Sequence, residues 1–216
     1  MRLFHHVRGM TINKMIYRYS LRAEDLLIDH EEVFRYLGYK KNTASEEEHA
    51  MLEENISEAR QVIFPKACYG RFEIKHLGDD YIEFPYGVIR SKNLSFNLGG
   101  CNEIYMFAAT IGARFDAAKL RVSAASITKA ALYQAIGATA IEDVCNKLNK
   151  MLKDESEAAG EKVRPRYSPG FGDYVLENQK GVFKILCPEK NAGITLGDNL
   201  IMAPEKSVTA IIGIEK

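Results

Sequence analysis

From Ser123 to about Glu157 the chain carries one long helical pattern, with Ile127, Ala131, Leu132, Ala135, Ala138, Ile141, Val144, Cys145, Leu148 and Leu152 recurring on one side. Many of these side chains are small, so another helix or a sheet can approach this face closely. Gly160 closes the pattern.

The remaining segments alternate between helical and extended periods. Glu24 to Leu37 reads as a helix carrying Leu26, Leu27, Val33, Phe34 and Leu37, stopped by Gly38. Ser45 with Glu48 forms a capping-box signature for a second helix bearing Leu52, Ile56, Ala59 and Ile63, ended by Pro65. Periodicity then changes to two, with Tyr69, Arg71, Glu73 and Lys75 alternating with Phe72 and Ile74. Across Gly78-Asp79-Asp80 follows Tyr81 to Phe84, which reads as a hairpin. Val88-Ile89 is a short strand candidate, and Ile104 to Ile111 a buried strand broken by Gly112. Leu176 to Leu186 reads as a short helix stopped by Pro188, with Thr195-Leu196 and Ser207 to Ile214 as the last strands.

Strands and helices cluster rather than alternate as βαβ units, so the expected class is α+β: a twisted, mainly antiparallel sheet with a long helix and shorter helices packed on it. The 216 residues are expected to form a single domain, helical over residues 1–65 and sheet plus helices over 66–216.

Composition excludes several functions. Lys plus Arg equals Asp plus Glu, 29 each, and no basic stripe invites nucleic acid. The four cysteines (Cys68, Cys101, Cys145, Cys187) lack metal-ligand spacing and read as reduced thiols. Met1 to Met10 holds His5, His6 and Arg8 instead of a signal core, and no apolar run is long enough for a membrane span. A cytoplasmic protein without membrane contact is expected. No zinc-protease helix, Walker loop or nucleophile elbow is present. Asp29-His30-Glu31 looks like an acid–base cluster, but neighbouring residues on a helix point about 100° apart. Gly170-Phe171-Gly172-Asp173 follows a helix and a proline, the wrong context for a dinucleotide loop.

What remains is Arg166-Tyr167-Ser168-Pro169-Gly170-Phe171. A guanidinium, whose planar donors match a carboxylate, stands here just before a Pro-Gly turn that lets backbone approach a ligand. After it come the amphipathic segment with Val182, Phe183, Ile185 and Leu186, then Ala192-Gly193-Ile194-Thr195-Leu196, then Ile201 to Ala210 with its Met202-Ala203-Pro204 and Ser207-Val208. In this order the segments resemble the activation domain of cobalamin-dependent methionine synthase, with its Arg-Pro-Ala-Pro-Gly-Tyr stretch and its Ala-Met-x-Pro-x-Ala-Ser-Val-Ser-Gly strand. Gly78 to Glu83 resembles that family's Gly-Asp-Asp-Ile hairpin. Three departures stand out: Phe171 replaces a tyrosine, Gly197-Asp198-Asn199 stands where Thr-Glu-Ser is usual, and the family's tail with its ligand-contacting tyrosine has no counterpart before Lys216.

The resemblance implies a stand-alone S-adenosylmethionine (SAM)-binding module. It would support reductive remethylation of cobalamin carried by a separate methionine synthase chain, with a flavodoxin-type electron donor. It implies no catalytic acid or base and no metal of the chain's own; cobalamin would come only with the partner. By the same resemblance Arg166 takes the methionyl carboxylate and Ser168-Pro169-Gly170 offers backbone to the adenosine end. Phe171 and Tyr167 would stack on adenine or face the sulfonium. Met202 and Pro204 would be walls or core. Two other readings stay open: a non-catalytic assembly protein on the same scaffold, and a reactivation factor for another corrinoid methyltransferase.

Overall fold

The centre of the fold is strand β6 (Glu103–Thr110), buried along almost its whole length in a computed structural model that describes residues 15–216. It pairs antiparallel with β2 (Lys66–Glu73) on one side and β10 (Ser207–Glu215) on the other. Outside them lie β1 (Tyr17–Ser20) and β7 (Lys162–Val163), giving the order β1-β2-β6-β10-β7. In register, Ala108 sits between Cys68 and Thr209, and Phe107 between Tyr69 and Ala210. The reading of Met1 to Met10 lies outside the described residues.

Because side chains alternate along a strand, an apolar run such as β6 supplies two cores at once. Tyr105, Phe107 and Ala109 face one layer with Ala210 and Ile212; Ile104, Met106 and Ala108 face the other with Cys68 and Ile211. The first layer holds α1 (His30–Tyr36), α2 (Glu46–Arg60), α4 (Ala113–Ala125) and the long α5 (Ile127–Ala158). The second holds the hairpins of β3 (Lys75–His76), β4 (Tyr81–Phe84) and β5 (Gly87–Arg90), with α3 (Lys92–Asn97). It also holds α6 (Gln179–Leu186), the turn α7 (Pro188–Asn191) and the small pair β8 (Thr195–Leu196) and β9 (Met202–Ala203). This is the α+β class expected. The small residues of α5 have the use foreseen: a Cβ on Gly137 would lie 2.5 Å from the Phe115 ring of α4.

Local signals decide where the elements begin. The Ser45–Glu48 box is present, with the Glu48 amide donating to Ser45 Oγ at 3.2 Å and the Ser45 amide to Glu48 Oε2 at 2.7 Å. That helix ends at Arg60, ahead of Pro65. The helix expected from Glu24 instead starts at His30. Leu26 and Ile28 are buried while Leu27 is exposed, a period of two, and Asp29 caps the helix by accepting from the Glu31 and Glu32 amides. The pattern from Ser123 to Glu157 is not one element either. Ser126 is extended and caps α5 through Lys129, while α4 ends just before it.

Two further expectations change. The Gly78-Asp79-Asp80 turn joins β4 only to Lys75–His76, because Lys66–Glu73 belongs to the main sheet. Leu176 to Asn178 is a 3-10 turn ahead of α6, and left-handed Cys187 ends that helix before Pro188 opens the next turn. Residues 1–65 are not wholly helical, since Tyr17–Ser20 is a sheet strand. No helix among the described residues is long and apolar enough to cross a membrane.

Candidate functional site

Past α5 the chain reverses and runs along the free edge of β10. Val163 pairs with Ile214, and the Arg164 amide donates to the Gly213 carbonyl at 2.8 Å. Tyr167 then pairs with Ile211, each amide donating to the other's carbonyl at 2.8 Å. Between these two pairs three steps of β10 are matched by four on the edge segment, so one residue is extra. Pro165 lies in this bulge, where an edge position tolerates a residue without an N–H.

The bulge re-aims the side chains that follow. Arg166 faces the helical layer, where its Nη2 forms an ion pair with Glu142 of α5. Tyr167 packs against the second core on the opposite side, and its hydroxyl donates to the Phe171 carbonyl at 3.3 Å. The structure therefore separates the arginine from the two aromatics expected to share its ligand. Phe171 is 64% exposed, and Ser168 is half-buried. Of the turn's backbone groups, the Gly170 amide donates to the Tyr174 carbonyl at 2.7 Å and the Ser168 carbonyl accepts from the Phe171 amide at 3.2 Å. Those two are engaged inside the loop. Pro204 is buried and Met202 partly so, as walls or core would be.

The ion pair of Arg166 is not a closed one. The side chains of Arg166 and Glu142 are 27% and 43% exposed, and the buried Nη1 of Arg166 has no hydrogen-bond partner. A buried donor of this kind is uncommon and calls for an acceptor. Glu142 also lines a cavity of about 310 Å³ between α1 and α5, whose charged lining is Asp29, Glu32, Glu142 and Asp143 against Arg35. Glu32 pairs with Arg35, Glu142 with Arg166 and Asp143 with Lys147, which leaves Asp29 as the lining carboxylate without an ion-pair partner among the described residues.

Asp29 sits there because it caps α1: its Oδ1 accepts from the Glu31 amide at 2.8 Å and the Glu32 amide at 3.3 Å. Asp143 Oδ2 accepts from the Leu27 amide at 2.8 Å, which ties the extended stretch before α1 to α5. Along the chain Asp29 stands only within the Asp29-His30-Glu31 cluster, which helical spacing sets aside, and it carries a further signal as a cap-type residue before an apolar helix pattern; Glu142 carries none beyond lying on α5.

Nucleophilic chemistry finds no support here. Burial pushes the Cys145 thiol, beside Arg166 and Glu142, up to about 12, so it stays protonated. Tyr174, fully buried under the loop, is raised well above the ordinary phenol range by burial, and its hydroxyl meets that of Tyr86 at 2.8 Å. Among the described residues no group of three or more His, Cys, Asp or Glu side chains is placed to hold a metal ion.

Fold and site together define an α+β domain with a central antiparallel sheet, a cationic edge segment and an acidic cleft beside it. No family model and no curated protein matches the sequence. Among solved structures, the crystal structure of the MetH reactivation domain bound to AdoHcy superposes with a TM-score of 0.71 at 17% identity, over 94% of this chain and 79% of that one. The chain has the fold of that reactivation domain.

Proposed function

We propose that this protein binds S-adenosylmethionine at the Arg166 edge and presents it to cobalamin held by a separate methionine synthase chain, so that the cofactor is remethylated after oxidation. The observation that carries the reading is the partly exposed Arg166–Glu142 pair, whose carboxylate lines a cavity rich in acidic side chains, in a fold whose solved counterpart holds AdoHcy.

The ligand's charges match the lining. Its α-carboxylate would pair with the Arg166 guanidinium, a charge-assisted contact worth about 1.5–3 kcal/mol when shielded from water. Its ammonium and sulfonium are cations, suited to Asp29, Glu142 and Asp143. Glu142 has a second role, holding the guanidinium from the helical side. A sulfonium carries a methyl group already activated for transfer, so the protein has to bind, orient and exclude water rather than move protons. That fits a site whose thiol is held neutral. Cobalamin would arrive with the partner and electrons with a flavodoxin-type donor.

Calorimetric titration of the full chain with SAM and with AdoHcy tests the reading. One-to-one binding in the micromolar to low millimolar range is expected, together with a ligand-dependent rise in melting temperature. Neither heat nor a melting shift at several millimolar ligand would overturn it.

A further inference from the structure

The histidine of the Asp29-His30-Glu31 cluster finds its partners on α2, not beside it in the chain. His30 Nδ1 lies 3.0 Å from His49 Nδ1, and His30 Nε2 lies 2.9 Å from Glu53 Oε2. His49 and Glu53 are one helical turn apart on α2 and so share a face. The two imidazole planes are inclined by 21°, with centroids 5.3 Å apart. The centroids are farther apart than the nitrogens by the width of two half-rings, so the rings lie edge to edge in nearly one plane. That is the geometry of an N–H···N hydrogen bond, not of face-to-face stacking. Both histidines are half-buried, and the Phe34 ring of α1 meets His49 edge-on at 4.9 Å between centroids.

The partners fix where the protons sit. An ionised Glu53 only accepts, so His30 Nε2 donates to it. In the neutral ring His30 Nδ1 is then an acceptor, and His49 Nδ1 donates to it. One added proton, on His49 Nε2 or on His30 Nδ1 with His49 in its other tautomer, still leaves a single N–H between the two Nδ1 atoms. A second added proton makes both of them donors, and two imidazolium rings then face each other across 3.0 Å. We propose that His30 and His49 form a proton-operated joint between α1 and α2, closed with up to one added proton and opened by the second. Histidine is the side chain whose ordinary charge change falls between about pH 5 and 8, so mild acid is the signal. Asp29 at the cap of α1 and Glu32 in its first turn both line the cavity beside Glu142, so opening the joint loosens that wall.

Around the joint, α1 carries Asp29, Glu31, Glu32 and Arg35, and the loop after it Lys40 and Lys41. On α2, Glu48 stands next to His49 and accepts from the Tyr39 hydroxyl at 2.6 Å. Helix α5, packed on both, brings Glu142, Asp143 and Lys147 to α1 and Lys129 to Glu58 of α2. Of these cations Arg35, Lys147 and Lys129 are each paired with a carboxylate of their own, which leaves Glu53 as the counter-charge of the joint. The closed joint holds one proton fewer than the open one, so each pH unit below the second uptake raises opening by up to about tenfold.

Amide exchange of the full chain at pH 8 and pH 5, corrected for intrinsic rates, tests the joint. Exchange in α1 should accelerate at least about fivefold at pH 5 while β6 and β10 stay unchanged. His49→Asn offers a side-chain amide that donates or accepts near the place of Nδ1 without titrating, so it should remove that acceleration. Nitrogen-15 spectra of the parent's imidazoles should show one protonated and one bare Nδ1 at pH 8, and both protonated at pH 5. An equal acid response in His49→Asn overturns the proposal, as does parent α1 exchange that ignores pH. So do Nδ1 atoms that are alike on both rings at pH 8, or a single shared proton that persists at pH 5. Should His49→Asn fail to fold, the parent's exchange and ring nitrogens decide by themselves.

Discussion

Replacing Arg166 by alanine separates binding from folding more cleanly than any other change. Its ion pair with Glu142 joins side chains that are 27% and 43% exposed, a setting in which such pairs stabilise by about 1 kcal/mol or less. Glu142, left alone, can be hydrated from the cavity it lines. The substitution also removes the buried Nη1 that has no partner, and that relief opposes the loss. A domain of this size should then lose no more than about 2–4 °C in melting temperature. Binding should suffer far more: losing a contact of about 1.5–3 kcal/mol to the ligand carboxylate weakens SAM roughly 10- to 150-fold. Calorimetric titration and a thermal melt on the same preparation read both quantities. SAM affinity within twofold of the parent would refute the assignment. A melting loss above about 10 °C would show that the guanidinium is a structural cation, contrary to its exposure.

Other expectations follow from the same geometry. Gly172→Ala combines a left-handed backbone with the Asn93 and Tyr167 overlaps and should cost about 2–4 kcal/mol. Gly193→Ala, at φ +72° with open space around it, should cost only about 1–2 kcal/mol. Equal melting temperatures for the two variants would show that the α3 contact is not tight. Phe171→Ala, at a 64% exposed position, should leave stability within about 0.5 kcal/mol, read from its melting temperature.

Acid should destabilise the fold through carboxylates held below their ordinary value of 4.5: Glu103 chiefly by its hydrogen bond from Arg71, and Glu205 chiefly by that from Lys119. Since the folded state lowers both, their contribution is complete above about pH 4.5 and lost as pH falls through the folded values. Melting temperatures measured from pH 7 to 3 should stay level and then drop. Glu103→Gln should blunt that drop, and an identical pH profile would remove Arg71–Glu103 as a cause.

What could be read along the chain depended on how local its cause was. The Ser45–Glu48 cap, the β6 run and the Ser207 strand are set by residues a few positions apart, and each lies where its pattern places it. Helix α4 escaped because only Phe115 and Ala118 of its residues are buried, too few to mark a face. Strand β1 is mostly exposed at the sheet edge, so its alternation carries little signal. Leu26-Leu27-Ile28 fits a helical face and an extended stretch equally well; the Asp29 cap decides between them. The arginine was legible as a side chain beside a turn. Its direction was not, because that depends on one extra residue at Pro165 relative to β10. The same non-local pairing hid Glu142, and it put Tyr167 on the other side of the sheet from the residue it was grouped with.

A crystal structure of the full chain grown with SAM or AdoHcy would weigh most. The ligand's carboxylate should lie within hydrogen-bonding distance of the Arg166 guanidinium, with its amino group toward Asp29 and Glu142. Density for the ligand elsewhere, with Arg166 still joined only to Glu142, would contradict the site proposed for this protein.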